Sequence, residues 1–382
     1  MRLHSSKTPR TPIIVPKRTE MGAPPGTISP PADAEKPRIE LICYGADEVI
    51  EREVESVAEL RDLVGKTEVS WINITGIGDS ATFTELGQLF GYHHLALEDV
   101  VNLHQRPKIE DYDEYAYLVL RMPTCEDGMD LEQISVFLGA NHVLTVQATP
   151  GDCLEPVRKR IRRGRGRIRT QGADYLAYAI TDAIIDRYFP IVEDFNARLD
   201  QLEDRVIPTP DERALGEIHN VRHDLSVLRR VVAATRDVVG PLSRGEIELK
   251  DEDTQLFFRD CYDHTAQLLD AIESCRELSS SLIDIHYSVV AHQMNEIMRI
   301  LTLIATLFMP LSFVASLYGM NFDRHVSPWN MPELGWSLGY PFALAVMLAM
   351  FAGFLIFYRR RGWLGRVRHR RSGRSSNTSE GR

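Results

Sequence analysis

Cysteine is scarce: five residues in 382, at positions 43, 125, 153, 261 and 275, with neither paired nor metal-site spacing. That pattern excludes a disulfide scaffold and a structural zinc site, and leaves the thiols as core or neutral positions. A glycine-rich phosphate loop is also missing, because Gly76-Ile77-Gly78 lacks the lysine and the helix context that a nucleotide site needs. No bound cofactor and no enzymatic chemistry are expected. A formal net charge of -10 and the lack of a recognised nucleic-acid fold argue against a nucleic-acid partner. No apolar signal opens the chain; residues 1–37, rich in Pro, Ser, Thr, Lys and Arg, read as a flexible leader. Beyond Glu252 proline is absent until Pro310 and glycine until Gly319, and no charge interrupts Ile300 to Leu317.

The uncharged run from Ile300 to Leu317 holds 18 residues, and a second apolar run follows from Tyr340 to Tyr358. At about 1.5 Å per residue the first spans roughly 27 Å, close to the hydrocarbon thickness of a bilayer. A buried helix pair in a soluble domain is the competing reading. Against it stand Arg359-Arg360-Arg361 directly after the second run, and Tyr318, Trp329, Trp336, Tyr340, Tyr358 and Trp363 at the expected interfaces. The segment from Arg359 to Arg382 carries nine arginines against Glu380 alone, so both termini are expected on the cytoplasmic side of the cell membrane. The Arg366 to Arg374 cluster reads as a lipid-headgroup contact.

Ahead of the spans, residues 38–160 read as an α/β domain. Strands are expected at Ile39–Tyr44, Val69–Ile74, Tyr115–Arg121, Ile134–Leu138 and His142–Gln147, with helices at Ser56–Leu63 and Thr82–Phe90. The cluster His93, His94, Glu98, Asp99 and His104 suits either a transition-metal centre or a polar patch at a subunit surface. Residues 161–250 read as helical, from Tyr175 to Val206 with a break at Pro190, then from Asp211 to Val239, with Pro208, Pro210 and Pro241 marking turns. The dense run from Arg158 to Arg169, seven arginines and Lys159, is expected against the membrane surface or the acidic faces of neighbouring subunits. A stalk helix over 251–299 runs into the first span, 300–318, making some 60 continuous residues, roughly 90 Å. A polar connection, 319–339, the second span, 340–358, and a basic tail, 359–382, complete the order.

Asn295, Met298, Leu301 or Thr302, Ala305, Met309 and Ser312 advance by three or four and share one helical face. Facing an axis, they alternate polar collars with apolar constrictions; facing a neighbour, they are ordinary packing residues. Two spans cannot enclose a water-filled route, so a pore needs several copies.

Tyr318-Gly319-Met320-Asn321, followed by Met331-Pro332-Glu333-Leu334 and Trp336, resembles the signature and outer loop of the CorA family of divalent metal-ion transport proteins. Leu97-Glu98-Asp99, His104-Gln105-Arg106-Pro107-Lys108, Tyr262-Asp263-His264 and Asn295-Glu296-Ile297-Met298-Arg299 leading to Phe308-Met309-Pro310 extend the resemblance over about residues 38–365. It implies a funnel-shaped homopentameric channel for Mg²⁺, with Co²⁺ as a further substrate, whose first span lines the pore and whose second faces lipid. It implies a filter at Gly319, Met320 and Asn321 with Glu333 in the outer loop. It further implies an apolar gate at Met298 and Leu301, a narrow level at Met309, polar stations at Asn295, Thr302 and Ser312, and an acidic ring at Asp284. Asp99 and Asp260 match carboxylates that hold regulatory Mg²⁺ between subunits. A nine-residue stretch between Asn321 and Met331, longer than in many relatives, and the extended arginine tail depart from the pattern. A proton-coupled zinc transporter of the same superfamily and a non-conducting membrane-anchored sensor are the alternatives.

Overall fold

In the computed structural model, the described residues are 22, 24–124, 130–164, 166–208, 211–249, 251–323, 325–327 and 329–363, except that the side chains of 252 and 334 are not described. Cys125, Arg165, Pro210 and the 366–374 arginines lie outside this set. The chain divides into two units, 1–287 and 288–382.

The first unit is built on a seven-stranded sheet in the order β2-β1-β3-β7-β6-β5-β4. Its strands are β1 (Arg38–Tyr44), β2 (Val49–Val54), β3 (Val69–Thr75), β4 (Lys108–Asp111), β5 (Tyr115–Pro123), β6 (Leu131–Gly139) and β7 (His142–Gln147). Among the described residues only β3 and β7 pair in parallel, from Ser70↔His142 to Thr75↔Gln147. Period-2 alternation gives each central strand two apolar faces. Trp71 and Val69 point to one core with Tyr44, Leu118 and Val136, while Ile72 and Ile74 point to the other with Leu41, Tyr117 and Phe137. A sheet buried on both sides therefore sits between two helical layers. The strands missing from the sequence reading, β2 and β4, are the two edges. They read VIEREV and KIED, and charge along an exposed edge blocks pairing with another chain while removing the apolar signal.

One layer holds α1 (Val57–Leu63), α2 (Ser80–Phe90) and α3 (His94–Val101). Asp79 caps α2 by accepting from the Ala81 and Thr82 amides, which starts this helix two residues before the expected Thr82. Gly76 and Gly78 have a structural task. Gly76 sits at φ +98°, where a Cβ would meet the Lys36 carbonyl at 2.5 Å, and the Gly78 amide donates to the Glu35 carbonyl at 2.7 Å. The last part of the leader is thereby docked, with Ile28 and Ala34 against the core and the Gly26 amide donating to Glu98 Oε2 at 2.7 Å.

The other layer contains α4 (Glu155–Arg163), α5 (Ala173–Asp186), α6 (Tyr188–Val206), α7 (Glu212–Arg244) and the first part of α8 (Glu252–Tyr318). The α5–α6 break falls at Arg187, because Pro190 has no N–H for the Asp186 carbonyl. Pro241 does not mark a turn: α7 runs through it to Arg244 and ends at left-handed Gly245, φ +70°. Buried positions on α7 recur as Ala214, Ile218, Val221, Leu225, Leu228, Val232, Thr235, Val239 and Leu242. On α8 the same 4-3 spacing runs through Thr254, Phe258, Cys261, Thr265, Leu268, Ile272, Cys275, Ser279, Leu282 and His286, and on α6 through Val192, Phe195, Leu199, Leu202 and Val206. A seven-residue repeat on three helices whose apolar members share one core is the spacing pattern of a coiled coil.

The second unit holds the rest of α8 and α9 (Gly339–Arg360), both long and apolar enough to cross a membrane. Helix α8 is 67 residues long and passes Pro310 without a break.

His142 opens β7 with Nε2 2.8 Å from the Tyr92 hydroxyl and its ring 4.6 Å from that of Phe90. Burial lowers its pKa from 6.5 to about 4. Between those values the unfolded chain takes up a proton that the folded chain refuses, so stability is lost as pH falls through the window. Thermal unfolding of the unmodified chain and His142→Gln should show the advantage of histidine shrinking from neutral pH downward. A pH-independent difference between them would contradict this assignment.

Candidate functional site

Helix α8 ends at Tyr318, where the Gly319 amide donates to the carbonyls of Ala315 at 3.0 Å and Ser316 at 3.2 Å, and Met320 donates to Leu317 at 3.3 Å. These bonds use the carbonyls left over at a helix end and turn the chain out of the helix. Asn321 follows in open backbone, exposed, its side-chain amide making no hydrogen bond among the described residues. Glu333 lies in a short 3-10 turn, Pro332–Gly335, entered through Met331 in the left-handed region at φ +45°. A methionine there is under backbone strain, as at loops whose shape serves something other than stability.

Within the second unit α8 and α9 pack along one face each. Leu303, Thr306, Leu307, Pro310, Leu311 and Val314 are partly or wholly covered, as are Ala343, Met347, Met350 and Phe354 on α9, and the Thr306 and Tyr358 hydroxyls are hydrogen bonded. Asn295, Met298, Leu301, Thr302, Ala305, Met309 and Ser312 are all exposed on α8, outside the covered face. Met309 is 70% exposed in the single chain, as are Phe313 at 69% and Leu348 at 70%. The Thr302 hydroxyl donates to its own Met298 carbonyl at 2.7 Å, which leaves its oxygen lone pairs outward as acceptors. Arg299, beside this face, donates to the carbonyls of Gly362 at 3.2 Å and Trp363 at 2.6 Å, fixing the chain just beyond α9. Asn295, Met298, Arg299, Thr302, Gly362 and Trp363 line a cleft of about 570 Å³.

The soluble carboxylates fall into separate groups. Asp284 is exposed on α8. Asp99, in the last turn of α3, accepts from Gln105 Nε2 at 2.6 Å on one oxygen and from Lys108 Nζ at 2.5 Å on the other. Burial pushes the Asp99 carboxyl upward ahead of the pull of Lys108, while Lys108, despite burial, is held above its ordinary value by Asp99 and Glu110. Asp260 has His264 Nε2 at 3.8 Å and a side chain 60% exposed; among the described residues of one chain no contact joins it to Asp99. Asp182, Asp186 and His264 bring one ligand atom each within 4.8 Å of one another. Burial, and then the Asp186 charge, raise Asp182 to about 6. The sequence reading quoted His264 but missed Asp182 and Asp186, whose i,i+4 spacing on α5 was the available signal, and it missed Lys108 as the partner of Asp99. Of the histidine and carboxylate cluster, Glu98 is used by the leader, and His93 caps α3 by accepting from the Leu95 amide.

Part of the basic run has partners inside the chain. Arg158 is bidentate to Asp152 at 2.7 and 2.5 Å and lies over Trp71, Arg162 pairs with Glu51 and Glu155, and Arg160 donates to the Tyr175 hydroxyl. Arg169 caps α4 through the Ile161 and Arg162 carbonyls, and Arg167 approaches Asp253 at 3.8 Å. Val157 and Ile161 dock α4 on the core and bring these five arginines within reach of partners in the same chain.

A family model described as CorA-like Mg²⁺ transporter protein matches residues 66–361. The chain is 40% identical over 350 residues to the cobalt/magnesium transport protein CorA of Thermotoga maritima, covering 90% of this chain and 97% of that one. It is 33% identical over 295 residues to the putative metal ion transporter YfjQ of Bacillus subtilis, covering 77% and 89%. Its fold is similar to the solved CorA magnesium transporter of Methanocaldococcus jannaschii, with a TM-score of 0.72 at 22% identity over 85% of this chain and 98% of that one.

Because Asp182 holds a proton more tightly when folded, between pH 3.8 and about 6 stability falls as pH rises, and above about 6 its full charge cost is present. With a chelator present, Asp182→Asn should raise the unfolding temperature at neutral pH and lose that gain near the ordinary carboxylate range. A destabilised variant at neutral pH would overturn the assignment.

Proposed function

The chain belongs to the CorA family of divalent-cation transporters, and from that premise we propose that it conducts Mg²⁺, with Co²⁺ as a second substrate, inward across the cell membrane through a homopentamer. The observation that carries this reading is the exposed α8 face leading straight to Gly319-Met320-Asn321 at the end of the first apolar span. Two spans per chain enclose nothing, so this face needs copies of itself around an axis. In that assembly α8 lines the route and α9 forms the outer ring against lipid, with both termini cytoplasmic, as the arginines beyond α9 favour.

Mg²⁺ is small and releases water reluctantly, so a filter that must let it go quickly does better by touching its hydration shell. A ring of Asn321 carbonyl oxygens accepts from that shell without adding charge that would trap the ion, Gly319 and Met320 set its approach, and Glu333 raises the local cation concentration outside. Met298 and Leu301 form the apolar gate and Met309 a second narrow level, where a dry ring stops the current. Asn295, Thr302 and Ser312 supply acceptors between them, and Asp284 forms an acidic ring near the cytosolic mouth. Asp99 of one subunit and Asp260 of the next hold regulatory Mg²⁺ and favour the closed ring, since facing carboxylates repel until a divalent ion joins them.

In liposomes carrying an internal Mg²⁺ indicator and an inside-negative potential, Asn321→Ala should lower Mg²⁺ entry about tenfold or more. Unchanged entry through the variant, or Zn²⁺ flux that requires a pH gradient in place of Mg²⁺ entry, would overturn the reading.

A further inference from the structure

The Asp99 carboxylate already has a cation. Lys108 Nζ, on β4, stands 2.5 Å from Asp99 Oδ2 and 2.5 Å from Glu110 Oε1, so one ammonium bridges two carboxylates. The three groups are held rather than merely adjacent. Gln105 Nε2 donates to the other Asp99 oxygen, Gln133 Nε2 donates to the Asp99 backbone carbonyl at 2.8 Å, and the Tyr112 hydroxyl donates to Glu110 Oε2 at 2.8 Å. Arg121 grips the Gln105 carbonyl at 3.1 and 2.7 Å, and the Gln105 amide donates to Gln133 Oε1 at 3.0 Å. Lys108 and Asp99 side chains are 22% and 19% exposed, which keeps solvent screening of this contact low.

We propose that Lys108 is a built-in competitor of the divalent cation at Asp99, and that Glu110 is the site to which its ammonium retreats when the ion arrives. The inference rests on the reading of Asp99 as a regulatory ligand and adds what sets its affinity. A divalent ion approaching Asp99 meets a fixed positive charge beside the oxygen it needs, and like charges at this separation repel strongly in a half-buried setting. A tethered ammonium is present at constant, high effective concentration, so the ion must exceed a threshold before it wins. Glu110 keeps that threshold finite: the ammonium moves from sharing two carboxylates to holding one and never loses its counter-charge. The threshold therefore depends on two residues acting in opposite directions.

The test uses the full-length protein in detergent, with MgCl₂ titrated against digestion by proteinase K. Lys108→Met should lower the Mg²⁺ concentration for half-maximal protection about tenfold, and Lys108→Gln should move it the same way. Glu110→Gln should raise it about threefold, because the ammonium then has only Asp99. Asp99→Asn measured alongside separates the two layers. If Asp99→Asn shifts the midpoint while both lysine variants leave it unchanged or raise it, the competitor is overturned and the regulatory reading stands. If Asp99→Asn itself leaves the midpoint unchanged, the regulatory reading fails and the proposal fails with it.

Discussion

Hydrocarbon offers no partner to a peptide group, so a chain that enters it must satisfy every N–H and C=O from within. That constraint requires Ile300 to Leu317 to be helical throughout, and α8 is so, passing Pro310 without a break. It also explains the hydroxyl chemistry of that segment. Thr302 and Thr306 donate back to the carbonyls of Met298 and Thr302, each at 2.7 Å, so neither presents an unsatisfied donor to an apolar surrounding. The helix stops where Gly319 can take up the last carbonyls, and the residue freed from helical duty two positions later is Asn321.

In the soluble unit the same helix meets a different demand. There α8 contributes a seam of Thr254, Thr265, Ser279 and His286 among Phe258, Leu268, Ile272 and Leu282, against α6 and α7, whose seams are almost wholly aliphatic and aromatic. The buried hydroxyls of Thr265 and Ser279 bond to carbonyls three residues back, so neither donor is orphaned, whereas Thr254 Oγ1 and His286 Nδ1 have no hydrogen-bond partner among the described residues. Charge is managed in the same local way. Arg158 lies against Asp152 and the Trp71 ring, and Arg162 is shared between Glu51 and Glu155.

The spans, the long helices and the five central strands were legible because each carries a strong periodic or apolar signal: Val69, Trp71, Ile72 and Ile74 could hardly be anything but a buried strand. The edge strands were not, since Glu51, Arg52 and Glu53 sit where an edge needs charge and hide the alternation. Pro241 misled because proline's helix-breaking tendency is a local rule, and α7 overrides it with Val238, Val239 and Leu242 packed in the core. The end of α8 at Tyr318-Gly319 was legible from its place after an apolar run. Lys108 was not, because its tie to Asp99 joins the end of α3 to β4 and exists only once the sheet is formed. The docked part of the leader was hidden for the same reason: Pro24 to Lys36 looks like linker until Gly76 and Gly78 are seen to leave room for its backbone.

The single parallel pairing of β3 with β7 has a kinetic consequence. β2-β1-β3 and β7-β6-β5-β4 are each antiparallel sets whose strands lie nearer one another in sequence than β3 and β7 do, the first with α1 between β2 and β3 and the second linked by hairpins. Joining them brings residue 70 beside residue 142 and closes a far longer loop, which is entropically dearer and slower than any hairpin in the sheet. Until that seam closes, both halves present the inner edges of what will become the most buried strands. A chain delayed at this step during synthesis would expose two apolar strand edges suited to pairing with other nascent copies, making the β3–β7 seam the place where folding competes with aggregation.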